Sequence, residues 1–286
     1  MLVTIGLPFY NNESTLELAI KSVLVQSHTN FELLLIDDGS VDSSLKIAQK
    51  FTDPRIKLIS EGFNKGLIYR LNQIASLAKG KYLARMDGDD LMLPDRIEKQ
   101  LKYLLQNEDI DLVDTGTYLI DQDGNPAGKR GLTDLNCDAK NVLKHALLLH
   151  PSVLGKTKWF LENPYNPEYI RAEDYELWCR TFRYSKFGRV KEALHMYREG
   201  KINVKNYLKS SRTIRKIIKK YGPGILSPFE LNLTLLTLIS KETAYRIFSL
   251  IDQHHYLVNT RNKPLTSGEQ QKVEQLINSI STSNTF

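Results

Sequence analysis

Three carboxylates within four residues are the first candidate for chemistry in this sequence of 286 residues. Asp87, Asp89 and Asp90 follow a short apolar run, residues 81–86, that reads as a buried strand, and a predicted helix follows them. Ligands of open α/β sheets bind at the carboxyl ends of strands. Because acids this close repel one another, a divalent cation with phosphate oxygens as further ligands would make the arrangement favourable. The alternative is a solvated acidic loop in which Asp90 or Asp95 caps the next helix.

A second pair of acids, Glu173 and Asp174, opens a predicted amphipathic helix whose Leu177, Trp178 and Phe182 face inward. A carboxylate at a helix start beside an apolar wall is well placed to act as a general base. The two acids could equally do no more than complement the helix dipole. The spacing alone favours neither interpretation.

Two more predicted strands end in polar clusters. Residues 3–7 run into Pro8-Phe9-Tyr10-Asn11, and residues 31–36 run into Asp37-Asp38-Gly39-Ser40. A carboxylate can accept from a base N–H or a ribose hydroxyl, and Tyr10 can stack on a base. Asp37 or Asp42 alone would be a turn or cap residue, but three clusters facing one crevice favour a shared ligand. Neither a Gly-x-Gly-x-x-Gly nor a Gly-Lys-Ser/Thr loop is present, so a metal would have to hold any phosphate.

The elements that position these residues alternate in the first hundred residues. Four strand and helix pairs predict a parallel sheet with helices on both faces. The helices are expected from a capping box at Ser14 and Glu17, from Asp42 or Ser43, and over residues 67–78. Beyond them we expect a strand over 112–120, a hairpin turn over 121–126, a polar connection over 127–135, and a helix from Asp138 to about Leu149.

Positive charge is concentrated near the C-terminus. Eight Lys and Arg and no acid fall within residues 201–220, which leaves 31 basic and 33 acidic residues elsewhere, a net charge of −2. Residues 203–221 predict a basic helix with Ile214, Ile217 and Ile218 on one side, followed by helices over 231–239, 242–256 and 269–280 and a frayed polar end, 279–286. The basic helix could bind an anionic membrane surface, mediate homo-oligomer contacts, or simply be solvated. Its few aromatics argue against a nucleic-acid partner.

Cys137 and Cys179 suggest neither a disulfide framework nor a zinc site, which fits a reducing compartment. The N-terminus lacks a charged n-region, and no apolar run approaches the roughly 18 residues of a membrane span. We therefore expect a cytoplasmic protein without a transmembrane segment.

Over roughly residues 2–200 the chain resembles the family 2 glycosyltransferases, inverting enzymes of the nucleotide-diphosphosugar transferase (GT-A) fold. The motifs that carry the resemblance stand in the family's order and spacing: Pro8-Phe9-Tyr10-Asn11, Gln26 to Leu33 running into Ile36-Asp37-Asp38-Gly39-Ser40-x-Asp42, Asn64-Lys65-Gly66, Met86-Asp87-Gly88-Asp89-Asp90 with Pro94-x-Arg96, and Glu173-Asp174 before Trp178. It implies a Rossmann-like α/β fold: a mostly parallel sheet flanked by helices, with a C-terminal helical extension. The expected parts are a nucleotide-binding half (1–107), an acceptor-binding half (108–200) and a basic helical extension (201–286).

The resemblance also implies roles by position. Asp174 matches the family's catalytic base, and Asp89 would hold Mn²⁺ or Mg²⁺ against the diphosphate. Asp87 would reach the ribose or the metal shell, and Asp38 the uracil edge. The remaining expected nucleotide-sugar-binding residues are Pro8, Tyr10, Asn11, Glu13 and Gly88, with Lys65 or Arg70 as looser matches for the diphosphate. After Arg198 many relatives have a histidine two residues on, where this chain has Gly200, so a metal ligand from that loop is not expected.

The expected activity is transfer of a sugar, with inversion, from a nucleotide-sugar donor, UDP-linked, to a hydroxyl of a saccharide or lipid-linked acceptor. By analogy with the family, the setting is surface-polysaccharide assembly at the inner face of the membrane. One alternative is a sugar nucleotidyltransferase, which would need a Gly-rich basic loop after the first strand that this chain lacks. The other is a non-catalytic scaffold whose basic helix binds membranes or other anions.

Overall fold

The structure, a computed structural model, describes residues 1–200, 203–250 and 262–283, except for the side chains of 248–250. Its centre is a nine-stranded sheet with both parallel and antiparallel neighbours. Lys201, the end of the predicted helix over 242–256 and the last residues of the polar tail lie outside the described residues.

The first part of the chain forms the expected strand and helix pairs. The bounds are β1 Val3–Phe9, α1 Leu16–Leu24, β2 Phe31–Asp37, α2 Ser44–Ala48, β3 Ile56–Ser60, α3 Leu67–Leu77 and β4 Tyr82–Arg85. Strands β3, β2, β1 and β4 are parallel neighbours in that order. Residues of β2 alternate between two cores: Leu33 and Leu35 pack on one face of the sheet, Leu34 and Ile36 on the other. This alternation explains the continuous apolar run, because helices cover both faces.

The second part extends the same sheet. Its elements are β5 Leu91–Met92, α4 Arg96–Gln106, β6 Leu112–Ile120, β7 Pro126–Arg130, α5 Ala139–Val142, a 3₁₀ turn His150–Ser152, β8 Leu154–Lys156, α6 Thr157–Glu162, α7 Glu173–Thr181 and β9 Phe187–Arg198. The strands lie in the order β3-β2-β1-β4-β8-β6-β9-β5, with β7 paired to β6. Strand β8 is antiparallel to both β4 and β6, so it joins the two predicted halves into one sheet. The residues expected as a polar connection begin instead with β7, which completes a hairpin with β6.

In the described part of the remaining chain, the helices are α8 Val204–Tyr221, α9 Pro228–Leu250 and α10 Ser267–Ser281. The two helices predicted over 231–239 and 242–256 are wrong as separate elements, because no Gly or Pro interrupts α9 between them. Ile217 and Ile218 of α8 join the core cluster that contains Trp178 of α7. Helix α10 places Val273 against residues of β5, β6 and β9.

Several predicted helix ends differ. The Ser14–Glu17 capping box does not form, because Thr15 is the N-cap of α1 and Glu17 pairs with Lys21. Asp95 stands at the N-cap of α4 without a side-chain cap bond. Asp138 caps α5 as predicted, but that helix ends at Val142, well before Leu149. Within the described part of the chain, no helix is both long enough and apolar enough to cross a bilayer.

Candidate active site

The acidic cluster follows β4 at its carboxyl end. One carboxylate oxygen from each of Asp87, Asp89 and Asp90 lies within 4.8 Å of the others. Burial, together with the charges of Asp90 and Asp87, raises the pKa of Asp89 to about 7. The Asp89 carboxylate accepts no hydrogen bond from any other residue that the structure describes. Closely spaced, repelling carboxylate oxygens with one uncommitted side chain fit the hard-oxygen preference of Mg²⁺ and Mn²⁺.

The Asp90 carboxylate is hydrogen-bonded to two residues of β9. Its Oδ2 lies 2.9 Å from His195 Nε2, and its Oδ1 accepts the Arg198 N–H at 2.8 Å. His195 Nδ1 lies 3.2 Å from Arg96 Nη1, which can only donate. The imidazole proton therefore sits on Nε2 and is donated to Asp90, while burial keeps the pKa of His195 well below its usual value. Asp90 is thus a buried support of the cluster and not a helix cap.

Arg85, the last residue of β4, ties the acidic cluster to the second pair of acids. Its guanidinium donates to both oxygens of Asp87 at 2.7 and 3.0 Å, and its charge also attracts Glu173 and Asp90. The Arg85 Nε is buried and has no hydrogen-bond partner among the described residues. Sequence analysis did not single out Arg85, because Glu173, the acid that it links to the cluster, comes from α7, far along the chain.

Glu173 and Asp174 form the first turn of α7 as predicted. Burial raises the pKa of both carboxyl groups, and the Tyr175 N–H, which donates to Asp174, partly opposes the shift there. The charge of Asp87 also acts on Asp174, so the two acid groups share one electrostatic environment. His150 offers a ring nitrogen within 4.8 Å of both acids. Its Nε2 lies 2.8 Å from the Tyr165 hydroxyl, and burial holds its pKa well below the usual value.

Asp38 organises the loop that precedes α3. Its carboxylate accepts from the Lys65 N–H (2.8 Å), the Gly66 N–H (3.0 Å) and Arg70 Nε (2.8 Å). Three of its roughly four acceptor positions are therefore used within the protein. The Arg70 guanidinium is fully buried, and its Nη1 donates to Glu61 at 2.6 Å. A direct Arg70 contact with a diphosphate does not fit this burial, whereas Lys65 remains partly exposed.

The loop after β1 is fastened to the loop after β2. Asn11, at φ +53°, accepts the Val41 N–H at 2.9 Å. The Glu13 N–H donates to Asp42, and Glu13 accepts from the Ser43 N–H, both at 3.0 Å. Tyr10 is 46% exposed at the tip of this loop.

Pro8 and Gly88 differ from Tyr10 in that both are buried. Pro8 lies inside β1, beyond the last residue that pairs with β4, so its missing N–H costs no bond on that side. At Gly88 a Cβ would stand 3.0 Å from Phe9 Cβ and 3.1 Å from Asn12 Oδ1. A glycine there lets the acidic loop approach the loop after β1.

A groove of about 880 Å³ opens between α3, α7 and α8. It begins at Lys65 and Gly66, runs along α3 to Ser76, and is closed on the other side by Ile170, Arg171 and Ser210. Glu173 lines it, which places the groove beside the second pair of acids.

Comparisons with known proteins agree with this arrangement. Residues 4–185 match the model of the family described as Glycosyl transferase family 2. The chain is 36% identical over 204 residues to the putative glycosyltransferase EpsE of Bacillus subtilis, covering 69% of this chain and 73% of EpsE. It is 32% identical over 182 residues to the Escherichia coli UDP-Glc:alpha-D-GlcNAc-diphosphoundecaprenol beta-1,3-glucosyltransferase WfgD, covering 64% and 70%.

Two solved structures share the fold. TarS residues 1–349 of S. aureus, in complex with UDP, superposes with a TM-score of 0.60 at 15% identity, covering 99% of this chain and 81% of that one. The mannosyltransferase PcManGT of Pyrobaculum calidifontis, with GDP-Man and Mn²⁺, gives a TM-score of 0.59 at 14% identity, covering 99% and 86%. The fold expected from the resemblance is confirmed, and the chain belongs to glycosyl transferase family 2 and is a glycosyltransferase of the nucleotide-sugar-dependent kind.

Proposed function

We propose that this enzyme transfers a sugar, with inversion, from a UDP-linked donor to a hydroxyl group of a saccharide or a lipid-linked saccharide. The observation that carries the proposal is the pairing of two acid groups through Arg85. The Asp87–Asp90 cluster suits the phosphates of a donor, and the Glu173–Asp174 pair suits a proton acceptor. Asp87 is close enough for its charge to act on Asp174, so a single bound sugar could meet both groups.

Asp174 is the proposed general base. Its carboxylate takes the proton of the acceptor hydroxyl as that oxygen forms a bond to the anomeric carbon. The bond between the anomeric carbon and the diphosphate oxygen breaks on the opposite face, and the nucleotide diphosphate leaves with the electron pair. A raised pKa, caused by burial, makes Asp174 a stronger base than an exposed aspartate.

Asp89 is the proposed metal ligand, with Asp87 and Asp90 beside it. When bound, Mn²⁺ or Mg²⁺ would stabilise the negative charge of the departing diphosphate as a Lewis acid. The Mn²⁺ that accompanies GDP-Man in the PcManGT complex supports this choice of ion. Among the protein's own groups, His195 and Arg198 fix the orientation of Asp90, and Arg85 fixes that of Asp87.

For the donor we propose that Tyr10 packs on the base, that the free acceptor position of Asp38 meets the uracil edge, and that Lys65 reaches the diphosphate. Pro8, Asn11, Glu13 and Gly88 shape the loop that borders the nucleotide. Arg70 acts through Asp38, because it is buried behind that carboxylate. The UDP in the TarS complex supports a uridine nucleotide.

The acceptor is proposed to lie in the groove along α3, which Glu173 helps to line. A groove of this volume holds more than one sugar ring, and Leu67, Tyr69 and Ile170 offer apolar surface to it. The name of WfgD, which specifies a diphosphoundecaprenol-linked acceptor, supports an acceptor of the lipid-linked class and a role in surface-polysaccharide synthesis.

The experiment is a thermal-shift panel of nucleotide sugars with and without Mn²⁺, followed by turnover with the sugar that binds. Ligand binding to the folded state raises the unfolding temperature by mass action. We expect UDP-sugars to stabilise the protein more with Mn²⁺ than without it. Equal shifts for UDP, GDP and adenine nucleotides, or no dependence on Mn²⁺, would contradict the proposed donor and metal.

A further inference from the structure

Arg171 holds a backbone conformation that an arginine seldom adopts. Its φ is +67°, and the other non-glycine residue at positive φ in the described part of the chain is Asn11, a type that tolerates this region. The Ala172 N–H donates to the Tyr169 carbonyl at 3.1 Å, so Arg171 is the third residue of a four-residue turn. Positive φ at that position is typical of a type II turn, which favours Gly or Asn there. An arginine held in this conformation points to a use for its side chain.

The turn is fixed in place by α8. Thr213 Oγ1 donates to the Ile170 carbonyl at 3.1 Å, and the Lys216 ammonium lies over the Tyr169 ring, 4.9 Å from its centroid. Tyr169 itself is buried in the core. The surrounding structure therefore determines where the Arg171 side chain starts, because its neighbours on both sides are anchored.

The Arg171 guanidinium has no anionic partner among the described residues. Of the described residues that line the groove along α3, the cations are Lys65 and Arg171. Lys65 pairs with Glu61 at 2.9 Å. Arg171 is exposed, and its side chain forms no ion pair or hydrogen bond with a described residue, although Glu173 lines the same groove. A guanidinium carries five donors in a rigid fork that matches the oxygens of a phosphate or a carboxylate. The groove thus presents a fork that an anionic ligand could fill.

This cation belongs to the acceptor side of the site. None of Asp87, Asp89 and Asp90, the acids proposed to hold the donor phosphates through a metal, lines the groove. Arg171 stands three residues before Asp174, and three residues of chain span at most about 11 Å. The guanidinium is therefore close to the proposed general base, where the acceptor hydroxyl must lie.

We propose that Arg171 binds a phosphate of the acceptor, in the linkage that joins the acceptor saccharide to its lipid. The inference rests on the proposed function and deepens it, because it assigns a residue to the lipid-linked part of the acceptor. Leu67, Tyr69 and Ile170 offer exposed apolar surface in the same groove for the first part of the lipid chain. Since Arg171 and Asp174 are close, the phosphate must be near the reacting hydroxyl, which favours a short acceptor saccharide.

The test measures binding of farnesyl diphosphate to the full chain by titration calorimetry, with UDP and Mn²⁺ present at saturation. UDP and Mn²⁺ fill the proposed donor site, so the phosphates of the probe cannot occupy it. Farnesol has the same apolar chain without the phosphates. We expect farnesyl diphosphate to bind at least about tenfold more tightly than farnesol, because hydrogen bonds to charged groups are the strong ones.

Three substitutions at Arg171 separate its charge from its backbone. Arg171→Gln and Arg171→Gly should each weaken binding of farnesyl diphosphate by about tenfold, whereas Arg171→Lys keeps the charge and should lose less. Glycine suits a positive φ, so Arg171→Gly should not lower the unfolding temperature. The matched control is Arg212→Gln, at an exposed arginine of α8 that has no ion pair with a described residue and does not line the groove. It should bind the probe as the parent does.

Four results would contradict the inference. If the parent binds UDP with Mn²⁺ but Arg171→Gly binds farnesyl diphosphate as tightly as the parent, this inference is wrong and the proposed function stands. If the parent does not bind UDP with Mn²⁺, the proposed function is wrong and the inference with it. If Arg171→Gly loses affinity for UDP, the guanidinium serves the donor. If Arg171 is needed to bind octyl glucuronide but not farnesyl diphosphate, its ligand is a carboxylate on the sugar.

Discussion

The Arg85 guanidinium meets Asp87 end-on, with Nη2 donating to Oδ1 at 2.7 Å and Nη1 to Oδ2 at 3.0 Å. The charge of Arg85 acts on both the Asp87–Asp90 cluster and Glu173, and its side chain is only 7% exposed. A bidentate arginine–carboxylate pair in such a setting is stronger than a surface ion pair. The pair therefore offsets repulsion within the site before any cation binds.

Replacing this arginine should destabilise the metal-free protein. For Arg85→Met we expect the free energy of unfolding to fall by about 2 kcal/mol, because Asp87 loses its partner while it remains beside Asp89 and Asp90. Added Mn²⁺ should restore part of the loss by replacing the missing positive charge. Urea unfolding with and without Mn²⁺ measures both effects.

The matched control is Arg55→Met, since Arg55 pairs with Asp53 at 2.7 Å in a more exposed setting. That substitution should cost less than about 1 kcal/mol. If the two substitutions lower the free energy of unfolding by the same amount, the Arg85–Asp87 pair contributes no more to stability than an exposed ion pair does.

The Asp89 carboxylate should lower the free energy of unfolding of the metal-free protein. Burial raises its pKa to about 7, whereas an unfolded aspartate titrates near about 3.9. The unfolded state therefore binds fewer protons between these two values, and stability falls as pH rises through that window. Asp89→Asn should stabilise the metal-free protein by about 2 kcal/mol near pH 8, with a smaller gain near pH 5.

The same variant should lose the stabilisation that Mn²⁺ gives the parent. Thermal unfolding at both pH values, with and without Mn²⁺, distinguishes these effects. A variant that is less stable than the parent near pH 8 without metal would show that Asp89 is not strained by its neighbours. A variant that keeps the full Mn²⁺ response would show that the ion binds elsewhere.

Much of the fold follows from local pattern. Buried parallel strands such as β2 are recognisable from continuous apolar runs, and the acids at strand ends stand where the topology puts ligands. His195 could not be found this way. It reaches Asp90 through the packing of β9, and the two residues lie 105 positions apart in the chain. Arg96 stood in the quoted motif Pro94-x-Arg96, but its contact with His195 is seen only in the structure. The family resemblance suggested Arg70, as a looser match, for the diphosphate, because a motif does not show which side of α3 is buried.

Asp38 and Arg70 should be energetically coupled. Asp38→Asn removes a charge that pairs with a buried guanidinium at 2.8 Å and leaves Glu61 as the remaining carboxylate partner of Arg70. We expect a loss of about 3 kcal/mol in the free energy of unfolding and weaker nucleotide binding, since the Lys65–Gly66 loop loses its anchor.

Asp53→Asn is the control for that loss, because its pair with Arg55 is more exposed. A double-mutant cycle of Asp38→Asn with Arg70→Met measures the coupling directly. Additive losses would mean that the two side chains act independently.

Asp174→Asn should abolish transfer while leaving donor affinity nearly unchanged. Loss of a general base lowers turnover by about 10²- to 10⁴-fold, whereas the donor phosphates are held by the other acid group. Because burial raises the pKa of Asp174, activity in the parent should fall at a higher pH than the ordinary aspartate value as the solution is acidified. Glu173→Gln keeps the base, so most turnover should remain, and the acid limb should stay close to that of the parent, because the neighbouring charges that shift the pKa of Asp174 are those of Arg85 and Asp87. Nucleotide-sugar titrations and pH–rate profiles of both variants provide the measurement, and near-normal turnover of Asp174→Asn would assign the base to another residue.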